Sequence, residues 1–230
     1  MAKGKVVRHW FFERLTLALC VLLLVAPNIV KAQTEPAAQE LQVRVGASLS
    51  KKVIRKVHLF VDPEMRTDGL NPDRYLIEGG LRYKPIKYFA AKGAFRTDWR
   101  ETNEGIEQGY RPRFALSGYL PLDDFEGEAR VQYTHAFGPY RNLRRTLRYR
   151  LGLAWNVPKV RLELDTSAEA FHALENHNIR KMRYSFGGQY KFYKSKKFDQ
   201  WFALEYMLDY YLDRRLNVHI PVAAYKARWD

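Results

Sequence analysis

The residues of this 230-residue chain that could do chemistry are few and scattered. Beyond residue 32 the histidines are His58, His135, His172, His177 and His219. A hydrolytic nucleophile needs a serine within reach of a histidine that an acid orients. Asp165, Ser167 and His172 come nearest to that set, and there is no Gly-x-Ser-x-Gly elbow. In an extended strand, residues an odd number apart point to opposite faces, so His172 turns away from both Asp165 and Ser167. His172, Glu175 and His177 offer three metal ligands, without the fourth ligand or the spacing of a closed zinc site. Glu101, Glu104 and Glu107 make an acidic stretch that lacks a calcium-loop pattern. The basic run from Arg141 to Arg150 could meet lipid phosphates at a rim, but its charge pattern reads better as half loop and half strand face. We therefore expect no catalytic residue, no metal and no cofactor.

A second set of charged residues has a different logic. Glu78, Arg82, Arg96, Glu128, Arg130, Arg148, Arg150, Glu163, Asp165, Arg183, Glu205 and Asp209 sit at alternate positions of segments whose other positions are mostly apolar. Both signs are present. Facing one another across a narrow lumen, such groups can pair between strands. An unpaired charge there costs several kcal/mol, roughly. These twelve are the expected lumen network.

The elements that must position them are strands. Leu147, Tyr149, Leu151, Leu153 and Trp155 share one face, with Arg148, Arg150, Gly152 and Ala154 opposite. A helix would scatter those arginines around its circumference, whereas a period of two keeps them together. The pattern recurs around Tyr75 to Tyr83, Phe89 to Trp99, Phe114 to Leu120, Ala129 to Phe137, Val160 to Ala170, Met182 to Phe192 and Phe202 to Tyr210. Weaker versions run from Leu41 to Leu49, Val57 to Val61 and Ile220 to Trp229. Phe60 and Met207 break the alternation. The segments total eleven, and bacterial single-chain barrels use even numbers, so ten or twelve strands are expected. Polar stretches 66–73, 98–109, 138–145 and 174–180 read as long loops, alternating with shorter turns.

That alternation of short and long connections predicts an all-β, antiparallel, up-and-down transmembrane barrel with short periplasmic turns and longer extracellular loops. Aromatics nine to eleven residues apart suit tilted strands crossing hydrocarbon. Residues 1–32 read as a leader: Lys3, Lys5, Arg8 and Arg14 precede the apolar Leu15 to Val25, and Val30-Lys31-Ala32 suits cleavage after Ala32. Residues 33–40 read as a flexible lead-in and 41–230 as the barrel. The only cysteine, Cys20, lies in the leader and lacks the context for lipidation, so no disulfide framework is expected. The formal charge is +14, and removal of five leader bases and one acid leaves +10. An exported chain seldom meets nucleic acid, so the expected counter-charge is the phosphorylated lipid of an outer membrane. A soluble periplasmic ligand-binding barrel and a barrel enzyme acting on envelope lipid are the alternatives.

The order of these segments resembles domain-of-unknown-function family 2490, a group of outer-membrane β-barrels from Gram-negative bacteria. Arg144 to Arg150 leading to Trp155, Arg161 to Leu164, Lys181 to Gly188, and Glu205-Tyr206 carry the likeness. The resemblance covers about Leu41 to Trp229. It implies a location and a fold but no activity. It also implies handling by the barrel-assembly machinery, which reads a final aromatic residue; here Asp230 follows Trp229.

Overall fold

The computed structural model describes residues 37–102, 105–138 and 145–229. The leader read at 1–32 lies outside the described residues. The alternating segments form twelve strands: β1 (Ala38–Leu41), β2 (Arg44–Ile54), β3 (Val57–Asp68), β4 (Asn71–Ile86), β5 (Phe89–Thr102), β6 (Gly105–Leu122), β7 (Phe125–His135), β8 (Arg145–Asn156), β9 (Leu162–Ala173), β10 (Asn178–Lys194), β11 (Phe198–Tyr211) and β12 (Leu216–Trp229). Neighbours in sequence from β2 to β12 pair antiparallel. The sheet then closes on itself through β2 and β12, which pair in parallel from Arg44↔Val222 to Lys51↔Trp229.

The wall therefore has eleven strands, β2 to β12, with β1 as a short addition. An odd count forces the closing pair to run parallel, and it corrects the expectation of ten or twelve. β1 pairs with β12 from Ala38↔Leu216 to Leu41↔His219. It keeps the register of β2, so the two short pieces line one edge of β12 in succession. Gln42 N–H bridges them by donating to the His219 carbonyl. Outside the wall, His219 Nε2 meets Gln39 Oε1 at 2.8 Å while its Nδ1 meets the Tyr206 hydroxyl, tying β1, β12 and β11 together. Residues 38–40 of the expected lead-in belong to β1.

One rim carries the connections at 55–56, 87–88, 123–124, 157–161 and 195–197; we call it the turn rim. The other, the loop rim, carries those at 69–70, 174–177 and 212–215. Two stretches expected as loops are paired strand instead. Thr67 pairs with Pro72 and Asp68 with Asn71, while Asp98 pairs with Gly109 and Thr102 with Gly105. Backbone pairing needs no apolar side chain once the ladder is running, so polar composition hid these extensions.

The faces follow the sequence alternation. Leu151 and Phe186 point outward and are 56% and 63% exposed, while Glu169 and Asp209 point inward at 2% each. Aromatics crowd the outer wall near the turn rim, where Phe125 stacks on Trp155 at 5.9 Å and Phe198 meets Trp229 at 4.7 Å. Phe60 is an inward exception. It is buried, lies opposite Gly80, and holds Lys92 Nζ 3.9 Å from its ring centre.

Candidate functional site

The strand register brings the lumen charges together in rungs. Across β7 to β11 one rung reads Arg130, Arg150, Glu169, Arg183 and Asp209, each directly opposite the next. Inward parity fixes this row, because a shift of one residue would send every charge to the outer wall.

Three carboxylates organise the middle of the lumen. Glu169 receives Arg130 Nη2 at 3.1 Å and Arg148 Nη2, with Arg150 Nε at 3.7 Å. Arg150 also lies 3.7 Å from Glu128, which accepts from the Ser117 hydroxyl at 3.0 Å. Glu78 receives Lys92 Nζ at 3.0 Å, Arg96 Nε at 3.0 Å and Arg113 Nη1 at 2.6 Å. Asp62 shares Lys92 at 3.8 Å and accepts from Ser48. Asp209 takes a two-pronged grip from Arg183, at 2.5 and 2.7 Å, and Lys181 Nζ at 2.8 Å. Forked pairs of this kind are among the strongest polar contacts a side chain makes.

Most of the twelve expected residues join this arrangement, and some do not. Glu163 accepts from Gln189 Nε2 at 2.6 Å, and Gln189 Oε1 in turn accepts from Lys226. Asp165 and Glu205 flank Gly187 from β9 and β11, where Glu205 senses the charge of Arg150. Arg82 stands exposed toward the turn rim, where Nη2 lies 3.4 Å from the Tyr119 hydroxyl.

Sequence reasoning missed several members. Glu169, Lys92, Arg113 and Lys181 share the inward parity and could have been read from it. A further rung of four arginines, Arg44, Arg66, Arg74 and Arg100, crosses β2 to β5 toward the loop rim. Glu64 holds Arg66 at 2.5 Å, Asp73 holds Arg100 at 3.0 Å, and Gln42 holds Arg44. Three of those arginines fell in stretches read as loops or just beside them. Asp98, fully buried, lies 2.7 Å from Arg111 Nε.

The chemistry weighed from sequence does not assemble. Ser167 faces the lumen and shares a 2.7 Å hydrogen bond with Ser185, whereas His172 stacks on Tyr149. Glu175 accepts from the Arg145 backbone N–H at 2.7 Å, and the His172 and His177 ring centres are 6.4 Å apart. Glu101 and Glu107 sit on the paired ends of β5 and β6, and Glu104 lies outside the described residues. The same holds for Arg141 and Arg144.

No family profile matches the chain, and no curated protein does. Among solved structures it is similar to a NanC porin in a rhombohedral crystal form, at 14% identity over 77% of this chain and 90% of that one, with a TM-score of 0.45. It is also similar to an anion-selective porin from Comamonas acidovorans, at 12% identity over 74% of this chain and 55% of that one, with a TM-score of 0.34.

Proposed function

We propose that this chain is an outer-membrane β-barrel of a Gram-negative bacterium, without enzymatic activity, whose charged and largely filled lumen braces the wall or passes small solutes. One observation carries the reading: the barrel is apolar outside and ionic inside. Leu59, Val61, Ile77, Leu81, Leu116, Val131 and Leu204 all stand exposed on the outer wall. Each such side chain, about half exposed, forgoes roughly 1 kcal/mol if left in water, and soluble monomers rarely expose a continuous apolar belt. Lipid is the solvent that suits it. Near the turn rim the wall ends in Trp155, Phe198 and Trp229, and the turns beyond carry Lys56, Lys87, Lys159 and Lys197. That order, aromatic and then basic, fits a lipid–water interface.

Burial supports the filled lumen: Glu78, Glu169, Arg183 and Asp209 are buried, as are the inward Ile220 and Phe60. The resemblance to family 2490 belongs to this proposal, as do outer-membrane lipid and the barrel-assembly machinery as partners.

Fractionation of the exported chain tests the reading. It should require detergent for release and migrate differently on gels before and after boiling. In planar bilayers it should give only small conductance. Release without detergent overturns the membrane reading, and large stable conductance steps overturn the filled lumen.

A further inference from the structure

The lumen is not electrically balanced. Glu169 is one carboxylate among three arginines; of these Arg150 also lies 3.7 Å from Glu128 and within the electrostatic reach of Glu205. Glu78 is one among three cations, of which Asp62 shares Lys92. Asp209 is one between Arg183 and Lys181. Counting only these ion pairs, each cluster holds one more cation than anions. In a space walled off by lipid, such a surplus costs several kcal/mol per charge, roughly, unless a counter-ion enters.

Access is also one-sided. The Glu169 side chain is 2% exposed, while Arg130, Arg148 and Arg150 keep 20%, 18% and 23%. The three arginine side chains are therefore more open to the lumen than the carboxylate they share. Among the described residues the Nε atoms of Arg130 and Arg148 are buried with no hydrogen-bond acceptor. Guanidinium groups present planar donor forks that match the oxygens of carboxylate and phosphate.

We propose that Arg130, Arg148 and Arg150 form a binding site for a small oxyanion, a carboxylate or phosphate group, in the middle of the lumen. Glu169 sets its strength: it spaces the three arginines and cancels part of their charge. The inference rests on the barrel reading above and adds a ligand class to it.

The test uses the full barrel folded in detergent. Its melting midpoint is followed during titration with inorganic phosphate, with acetate, and with chloride at matched ionic strength. Phosphate, acetate or both should raise the midpoint above chloride, and which of them does so identifies the oxyanion. Arg130→Gln should weaken half-saturation about tenfold, the loss of one charge-assisted contact. Glu169→Gln should tighten it, because the competing charge is gone while an amide still spaces the arginines. A merely structural role would move both variants the same way, and that result overturns the site. So does a folded, heat-modifiable barrel that responds identically to all three anions, an outcome that leaves the barrel reading standing. A chain that is soluble without detergent overturns both.

Discussion

The end of the Phe60 ring occupies the space that a side chain on Gly80 would need: a β-carbon there would lie 2.9 Å from Phe60 Cζ. It would also lie 2.1 Å from the Gly93 carbonyl and 2.7 Å from Ala94 Cα. The inward aromatic and the glycine opposite it are one packing unit.

Gly80→Ala should therefore destabilise the barrel by about 1–3 kcal/mol, the range for overpacking a tight site. Phe60→Ala should itself destabilise by about 3–5 kcal/mol, and the double variant should lose less than the sum of the two single losses, because the ring no longer crowds the new methyl. Urea midpoints of the refolded single and double variants measure this, and strict additivity would show that the ring and the glycine are not one packing unit.

Asp209 is the clearest test of the ionic interior. Asp209→Leu strands Arg183 and Lys181 without their shared acid and should cost about 3–5 kcal/mol. Arg180 and Asp213, 4.0 Å apart and far more exposed, provide the contrast. Asp213→Leu should change stability by less than about 1 kcal/mol. Equal effects in equilibrium unfolding would mean that the lumen is wet enough to screen its charges.

The parallel closure can be trapped chemically. Leu49 and Ala227 are directly paired across β2 and β12. In a Cys20→Ser background, Leu49→Cys with Ala227→Cys should oxidise to a disulfide, since paired residues meet the limit of about 7 Å between Cα atoms. Leu49→Cys with Ala223→Cys, four residues out of register, should stay reduced. Gel mobility with and without reductant separates the outcomes, and cross-linking of the second pair alone would refute the register.

The two sides of the wall differ in what reaches them. Trp155 and Trp229 are exposed on the outer surface. Trp201 lies beneath Lys191 and Arg228, with Lys191 Nζ 4.8 Å from its ring centre. In vesicles of brominated lipid, single-tryptophan variants keeping Trp155 or Trp229 should be strongly quenched and the one keeping Trp201 spared. Uniform quenching would contradict the facing of β11.

The facing of each strand was legible because period-two alternation is local: Arg148, Arg150 and Glu169 declare their side through their immediate neighbours. Phe60 looked like an error in that pattern until Gly80, twenty positions away, supplied its space. The eleven segments were legible as well, but the evenness imposed on them was not theirs. Which strand closes a barrel depends on a pairing between residues such as Arg44 and Val222, and no local pattern encodes that. The arginine rung of Arg66, Arg74 and Arg100 stayed hidden because polar strand ends look like loops when the backbone ladder cannot be seen.

The parallel seam also puts the two ends of the wall at opposite rims. Ala38 stands at the loop rim and Trp229 at the turn rim, separated by a strand that rises roughly 45 Å. A barrel with an even count returns its end to the side where it began; this one does not. On the membrane reading proposed above, a reporter fused ahead of Ala38 and another fused after Trp229 answer to reagents on opposite sides of the bilayer. Circular permutation through a short linker, which depends on neighbouring ends, is closed to it.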